Sequence, residues 1–122
     1  MKRTKAIVAL GSNTRQEENI GKAKLMVASL LEDCRFTQEL WTQPIGIDSD
    51  RFLNALATGY TTLAQEELQV RLKQIERKLG NTKEQRQEGV VCIDIDLLQY
   101  GTAKLKKGDW KRPYIQELVH SA

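Results

Sequence analysis

Val90 to Leu98 is an apolar run interrupted at two positions only, Asp94 and Asp96. In a β-strand alternate side chains share a face, so both acids project together, about 7 Å apart along the strand. Strands rarely accept Asp, and charges beside a core are costly unless they are paired or hold a cation. The rest of the chain therefore reads as a scaffold for these two carboxylates.

A chain of 122 residues fits one domain, with a core over about residues 4–101 and a basic loop and tail over 102–122. With 40% hydrophobic and 29% charged residues it is neither disordered nor membranous, and no apolar run approaches the roughly 20 residues of a membrane span. The basic start, Met1 to Lys5, precedes an apolar run too short for a signal peptide. Cys34 and Cys92 lack metal-type spacing and read as reduced thiols of a cytoplasmic protein. The net charge of +3 does not repel a polyanion. Part of it lies in Lys104 to Arg112, which reads as a solvated loop, with phosphate or nucleic-acid binding as the alternative.

Lys5 to Leu10 is a compact apolar run suited to a buried first strand, ending in the turn cluster Gly11-Ser12-Asn13. Ile20, Ala23, Val27, Leu30 or Leu31, and Cys34 then recur at helical steps and predict a helix over about 17–33. Phe36 to Gln43 reads as a partly exposed strand, Pro44 to Asp50 as a loop, and Phe52 to Tyr60 as a third strand. On that third strand Asn54 is the polar member of an otherwise apolar face. Thr62 and Gln65 have capping-box spacing, Leu68, Leu72, Ile75 and Leu79 form a helical stripe, and Gly80 supplies a stop. Asn81 to Gly89 reads as a mobile loop. The order is β-α-β-β-α-β, an α+β ferredoxin-like antiparallel sheet with two helices over it and a short irregular C-terminal tail. That fold hosts enzymes and binding modules alike.

By itself the acid pair admits three readings: a hard-cation site for phosphate chemistry, a structural pair bonded to Lys or Arg, or an edge-strand device against aggregation. His120 is the lone histidine, so no His/Cys zinc set exists, and neither a catalytic triad nor a P-loop is visible.

The neighbouring segments add to this. Gly11-Ser12-Asn13, Thr42-Gln43-Pro44-Ile45-Gly46, Phe52-Leu53-Asn54, Ile75 to Gly80 and Ile93 to Leu98 with Tyr100-Gly101 occur in this order. Together, from about residue 5 to 114, they resemble the hydroxymethyldihydropterin pyrophosphokinases of folate biosynthesis. The resemblance implies transfer of diphosphate from ATP to the hydroxymethyl group of a reduced pterin, with release of AMP. It gives Asp94 and Asp96 two Mg²⁺ ions to hold, and gives Asn54, Phe52, Thr42, Pro44, Ile45 and Gly46 the pterin pocket. It turns Lys73, Glu76, Lys83, Arg86 and Leu97 toward ATP. Several departures fall where phosphate charge is handled. Asn81 and Val91 stand where the family carries arginines, an arginine after the Pro113-Tyr114 step is absent, and the sequence ends sooner than family members usually do. A non-catalytic relative that binds nucleotide, pterin or a protein, and a ferredoxin-like RNA-binding module, are the alternatives; the acid pair disfavours nucleic acid, and no membrane partner is expected.

Overall fold

A computed structural model describes residues 2–44, 49–80 and 83–121, the side chains of Lys83, Arg86 and Ser121 excepted. The elements run β1 (Thr4–Ser12), α1 (Gln16–Ala28), β2 (Glu32–Phe36), β3 (Leu40–Thr42), β4 (Phe52–Thr61), α2 (Gln65–Lys78), α3 (Lys83–Gln87), β5 (Asp94–Tyr100), β6 (Ala103–Lys104), α4 (Lys107–Trp110) and α5 (Pro113–Ser121). The sheet order is β2-β4-β1-β5-β6, with β3 also on β4, and every pairing is antiparallel. This is the expected ferredoxin-like α+β arrangement.

The strand β1 is apolar on both faces because both faces are covered. Ala6, Val8 and Leu10 pack with Ile20, Ala23 and Val27 of α1 and with Leu68, Leu72 and Ile75 of α2. Ile7 projects the other way, into a second core with Leu56, Leu98, Trp110, Ile115 and Leu118. The irregular tail expected after Gly101 is therefore corrected: the segment folds onto the second face of the sheet. In α5, Ile115, Leu118 and Val119 recur at steps of three and one, the apolar stripe of an amphipathic turn. Trp110 is buried, and its indole N–H donates to the Leu98 carbonyl at 2.9 Å.

Three local differences have identifiable causes. The first helix ends at Ala28, not near residue 33, because Glu32 already pairs with Tyr60 of β4. A register shift follows between Glu32 and Arg35, with Asp33 at φ 52°. Leu31 and Cys34 thus belong to the turn and to β2; a pairing with β4 is invisible to helical periodicity. The single strand expected over Phe36–Gln43 is split, but Thr37 keeps the interruption bonded to β4. Its N–H donates to the Leu56 carbonyl and its hydroxyl accepts the Leu56 N–H, both at 2.9 Å. Finally, α2 begins at Gln65 with Ala64 as its N-cap, so the Thr62–Gln65 capping box does not form, while Gly80 does take the left-handed stop at φ 94°. Part of the expected loop over 81–89 is the short helix α3; Asn81 lies outside the described residues.

Candidate active site

Strand register brings the site together. Leu40 pairs with Asn54, Asn54 with Gly11, and Gly11 with Asp94, so one row crosses β3, β4, β1 and β5. The next row is Leu56, Ala9 and Asp96. Directly paired residues share a face, which puts Asn54, Asp94 and Asp96 on the side of the sheet carrying α4 and α5. Where those helices leave the sheet uncovered, a cleft of about 310 Å³ opens over these rows.

Asn54 is buried, and its amide nitrogen is held three times over: by the Leu40 carbonyl at 3.2 Å, the Thr42 hydroxyl at 2.8 Å and the Phe52 carbonyl at 3.4 Å. With the donors committed, Oδ1 is oriented across Gly11. A Cβ at Gly11 would stand 3.2 Å from that oxygen, closer than side chains normally tolerate. A side chain at position 11 would press on that oxygen, and with glycine there the result is a preorganised acceptor.

Asp96 lies between two ammonium groups, Lys73 Nζ at 3.3 Å and Lys106 Nζ at 3.5 Å. Lys73 also donates to Glu76 Oε2 and to the Ile95 carbonyl, each at 2.9 Å. Burial lowers the Lys73 pKa, but the Glu76 hydrogen bond and the charges of Asp96, Glu76 and Asp94 outweigh it, and the net shift is upward. Glu76 is buried and accepts the Ile95 N–H at 2.6 Å. Among the described residues β6 pairs with β5 only at Gln99 and Tyr100, and no strand lies beside Ile95 on that side. Lys73 and Glu76 supply the donor and acceptor that a neighbouring strand would provide, and so hold the residue between the two aspartates.

The segment leading into β5 is held by Asn13. Its N–H donates to the Val91 carbonyl at 3.0 Å, its Oδ1 accepts the Val91 N–H at 2.6 Å, and its amide donates to the Gly89 carbonyl at 2.7 Å. Val91 itself is buried, consistent with an apolar residue at that position.

The far wall is Lys106, Asp109 and Arg112, from the segment expected to be solvated, with Tyr114 and Ile115 from the tail that follows it. Lys106 has φ 53° and ψ 52°, a left-handed conformation costing about 1–2 kcal/mol for a side-chain-bearing residue. Arg112 pairs with Asp109 at 3.7 Å. Burial raises the Tyr114 pKa, and the neighbouring Arg112 guanidinium only partly opposes it, so the phenol stays protonated across the neutral range. An arginine thus reaches the cleft from before Pro113 instead of after it. The sequence signals for this wall were a large aromatic, Trp110, within a basic run and the Ile115–Leu118–Val119 spacing behind it.

Of the residues expected at the site, Thr42, Phe52, Asn54, Asp94 and Asp96 line the cleft, together with Gln43. Pro44 does not line it, and Ile45 and Gly46 lie outside the described residues. Lys73 and Leu97 instead line a second hollow of about 300 Å³, which shares Asp96 and Lys106 with the cleft. Glu76 lines neither; the expectation that it faces ligand becomes a buried support of β5. Lys83 and Arg86 lie on α3, and their side chains are outside the described residues. Among the described residues no cluster of three or more His, Cys, Asp or Glu could enclose a metal ion, and no helix is long and apolar enough to cross a membrane.

The sequence is similar to known proteins. The chain is 32% identical over 120 aligned positions to a folate synthesis bifunctional protein of Arabidopsis thaliana, covering 89% of this chain and 25% of that protein. It is 34% identical over 120 positions to the mitochondrial folate synthesis bifunctional protein of Pisum sativum, covering 89% and 23%. The chain thus spans about a quarter of the length of these relatives. The family described as 7,8-dihydro-6-hydroxymethylpterin-pyrophosphokinase matches residues 7–119, which include both aspartates, Asn54 and the far wall of the cleft, and the chain belongs to that family.

Proposed function

We propose that this protein transfers diphosphate from ATP to the hydroxymethyl group of a reduced pterin, a step of folate biosynthesis. The observation that carries the reading is a preorganised amide acceptor, Asn54, on the same cleft floor as the Asp94/Asp96 pair, in a chain of this family. The pterin hydroxyl oxygen bonds to the β-phosphorus and gives up its proton to solvent, the bond from that phosphorus to the α–β bridging oxygen breaks, and AMP leaves.

Two carboxylates, with no third enclosing ligand among the described residues, fit Mg²⁺, which takes one or two protein carboxylates and fills its shell with water and phosphate oxygens. Asp94 and Asp96 would hold two such ions, which when bound neutralise charge on the polyphosphate. Asn54 accepts from the N–H groups of the pterin edge, while Phe52 and Tyr114 present aromatic surface to the ring. Arg112 supplies fixed positive charge on the opposite wall. The second hollow, with Lys73 and Leu97, takes the nucleotide. Free Cys34 and Cys92 suit a reducing compartment, the cytoplasm in this reading.

The test is direct. Pure protein with ATP, Mg²⁺ and 6-hydroxymethyl-7,8-dihydropterin should release AMP and form the pterin diphosphate in equal amounts. No AMP at high protein concentration would leave a non-catalytic relative as the reading. Within an active enzyme, Gly11→Ala should displace Asn54 Oδ1 and raise the pterin KM by about five- to tenfold, the value of one lost hydrogen bond. The KM for ATP should stay unchanged; equal effects on both would show a general distortion of the sheet.

A further inference from the structure

Lys106 does not belong to the sheet, yet it reaches the metal-site carboxylate. We infer that Lys106 is an exchangeable cation of the transfer site: it pairs with Asp96 while no nucleotide is bound, and moves to the polyphosphate when Mg·ATP enters. This rests on the function proposed above.

Three observations carry it. Asp96 and Lys106 are the two residues common to the walls of the cleft and of the second hollow. A polyphosphate joining a nucleotide in one to a pterin in the other would pass between them. Secondly, the two lysines on Asp96 are not equivalent. Lys73 donates to Asp96, Glu76 and Ile95 and is locked among acceptors, whereas among the described residues Asp96 is the one anion paired with the more exposed Lys106. Lys106 can leave without breaking anything else; Lys73 cannot. Thirdly, the Lys106 backbone is fixed. The N–H of Leu105 and the indole of Trp110 both donate to the Leu98 carbonyl, and the Lys106 carbonyl accepts the Asp109 N–H at 2.8 Å. A left-handed residue held on an anchored turn, with a long mobile side chain, is strain placed at a ligand site. A lysine that only neutralised Asp96 would need no such placement.

The exchange predicts effects of opposite sign. In Lys106→Met, Mn²⁺ binding to the nucleotide-free protein, followed by electron paramagnetic resonance, should tighten by about two- to fivefold, because a competing surface cation is gone. Binding of Mg²⁺ with α,β-methylene-ATP, measured by calorimetry, should weaken by about tenfold or more, because a charge-assisted phosphate contact is lost. Lys106→Arg should recover both values, and Lys111→Met, an exposed lysine of the same segment, should change neither. If both affinities of Lys106→Met move in the same direction, or neither moves, Lys106 is a passive partner of Asp96 and the inference fails alone. If the wild-type protein binds no Mn²⁺, the metal site of the proposed function fails and takes this inference with it.

Discussion

Asp94→Asn should lower diphosphate transfer by roughly 10³-fold while leaving the protein folded. Asparagine keeps the shape of the side chain that stands opposite Gly11 and lines the cleft, but removes the charge that a divalent cation requires. A loss of that size is expected when a preorganised charge acting on the reacting polyphosphate is deleted. Asp109→Asn is the informative comparison. Asp109 lines the same cleft but is paired with Arg112 at 3.7 Å, so its loss should cost less than about tenfold. Rates of AMP release and calorimetric Mn²⁺ affinity, with thermal melting as the folding control, decide the matter. An Asp94→Asn protein within tenfold of wild type would remove the carboxylate pair from the mechanism.

The second large effect concerns stability. Glu76→Ala should destabilise the protein by about 2–4 kcal/mol, lowering the melting temperature by roughly 10 °C. The substitution leaves the Ile95 N–H buried without its 2.6 Å acceptor and takes a partner from Lys73. Glu76→Gln retains an acceptor oxygen and should lose less than half as much. Mn²⁺ affinity should fall along with stability in the alanine variant, because β5 presents both aspartates from either side of Ile95. The sign with pH follows from Lys73. Its folded-state pKa is raised, so its stabilising contribution is present at neutral pH and is lost as pH rises through the lysine range beyond 10.5. A melting temperature for Glu76→Ala within about 2 °C of wild type would show that the free edge of β5 needs no such support.

Much of the fold was legible because its signals are local. Alternation within Ile93–Leu97 puts apolar residues on one face and acids on the other, and the Leu68–Leu72–Ile75 stripe marks α2 wherever the chain ends up. The limits lay where an element's state depends on a distant partner. Leu31 and Cys34 fit a helical stripe equally well until β4 claims the strand beginning at Glu32. Glu76 is an ordinary helix acid in the sequence, and becomes a buried strand acceptor only because β6 stops short of Ile95.

The site divides in the same way. Asp94 and Asp96 share a face by strand geometry alone, and a polar Asn54 on an apolar strand face marks itself. Their alignment through Gly11 is a matter of register, which no single strand encodes. The basic segment Lys104–Arg112 looked solvated because its charges are frequent and its apolar residues sparse. Folded, Trp110, Ile115 and Leu118 bury against the second face of the sheet and carry Lys106, Arg112 and Tyr114 over the aspartates. The arginine that the resemblance leads one to expect at Val91 is absent, and Arg112 brings a positive charge to the cleft from another part of the chain. Sequence by itself determined which residues of β5 and α2 share a face, since that follows from backbone periodicity. Only the tertiary structure decided which faces meet, since that depends on the apolar area two distant elements remove from water together.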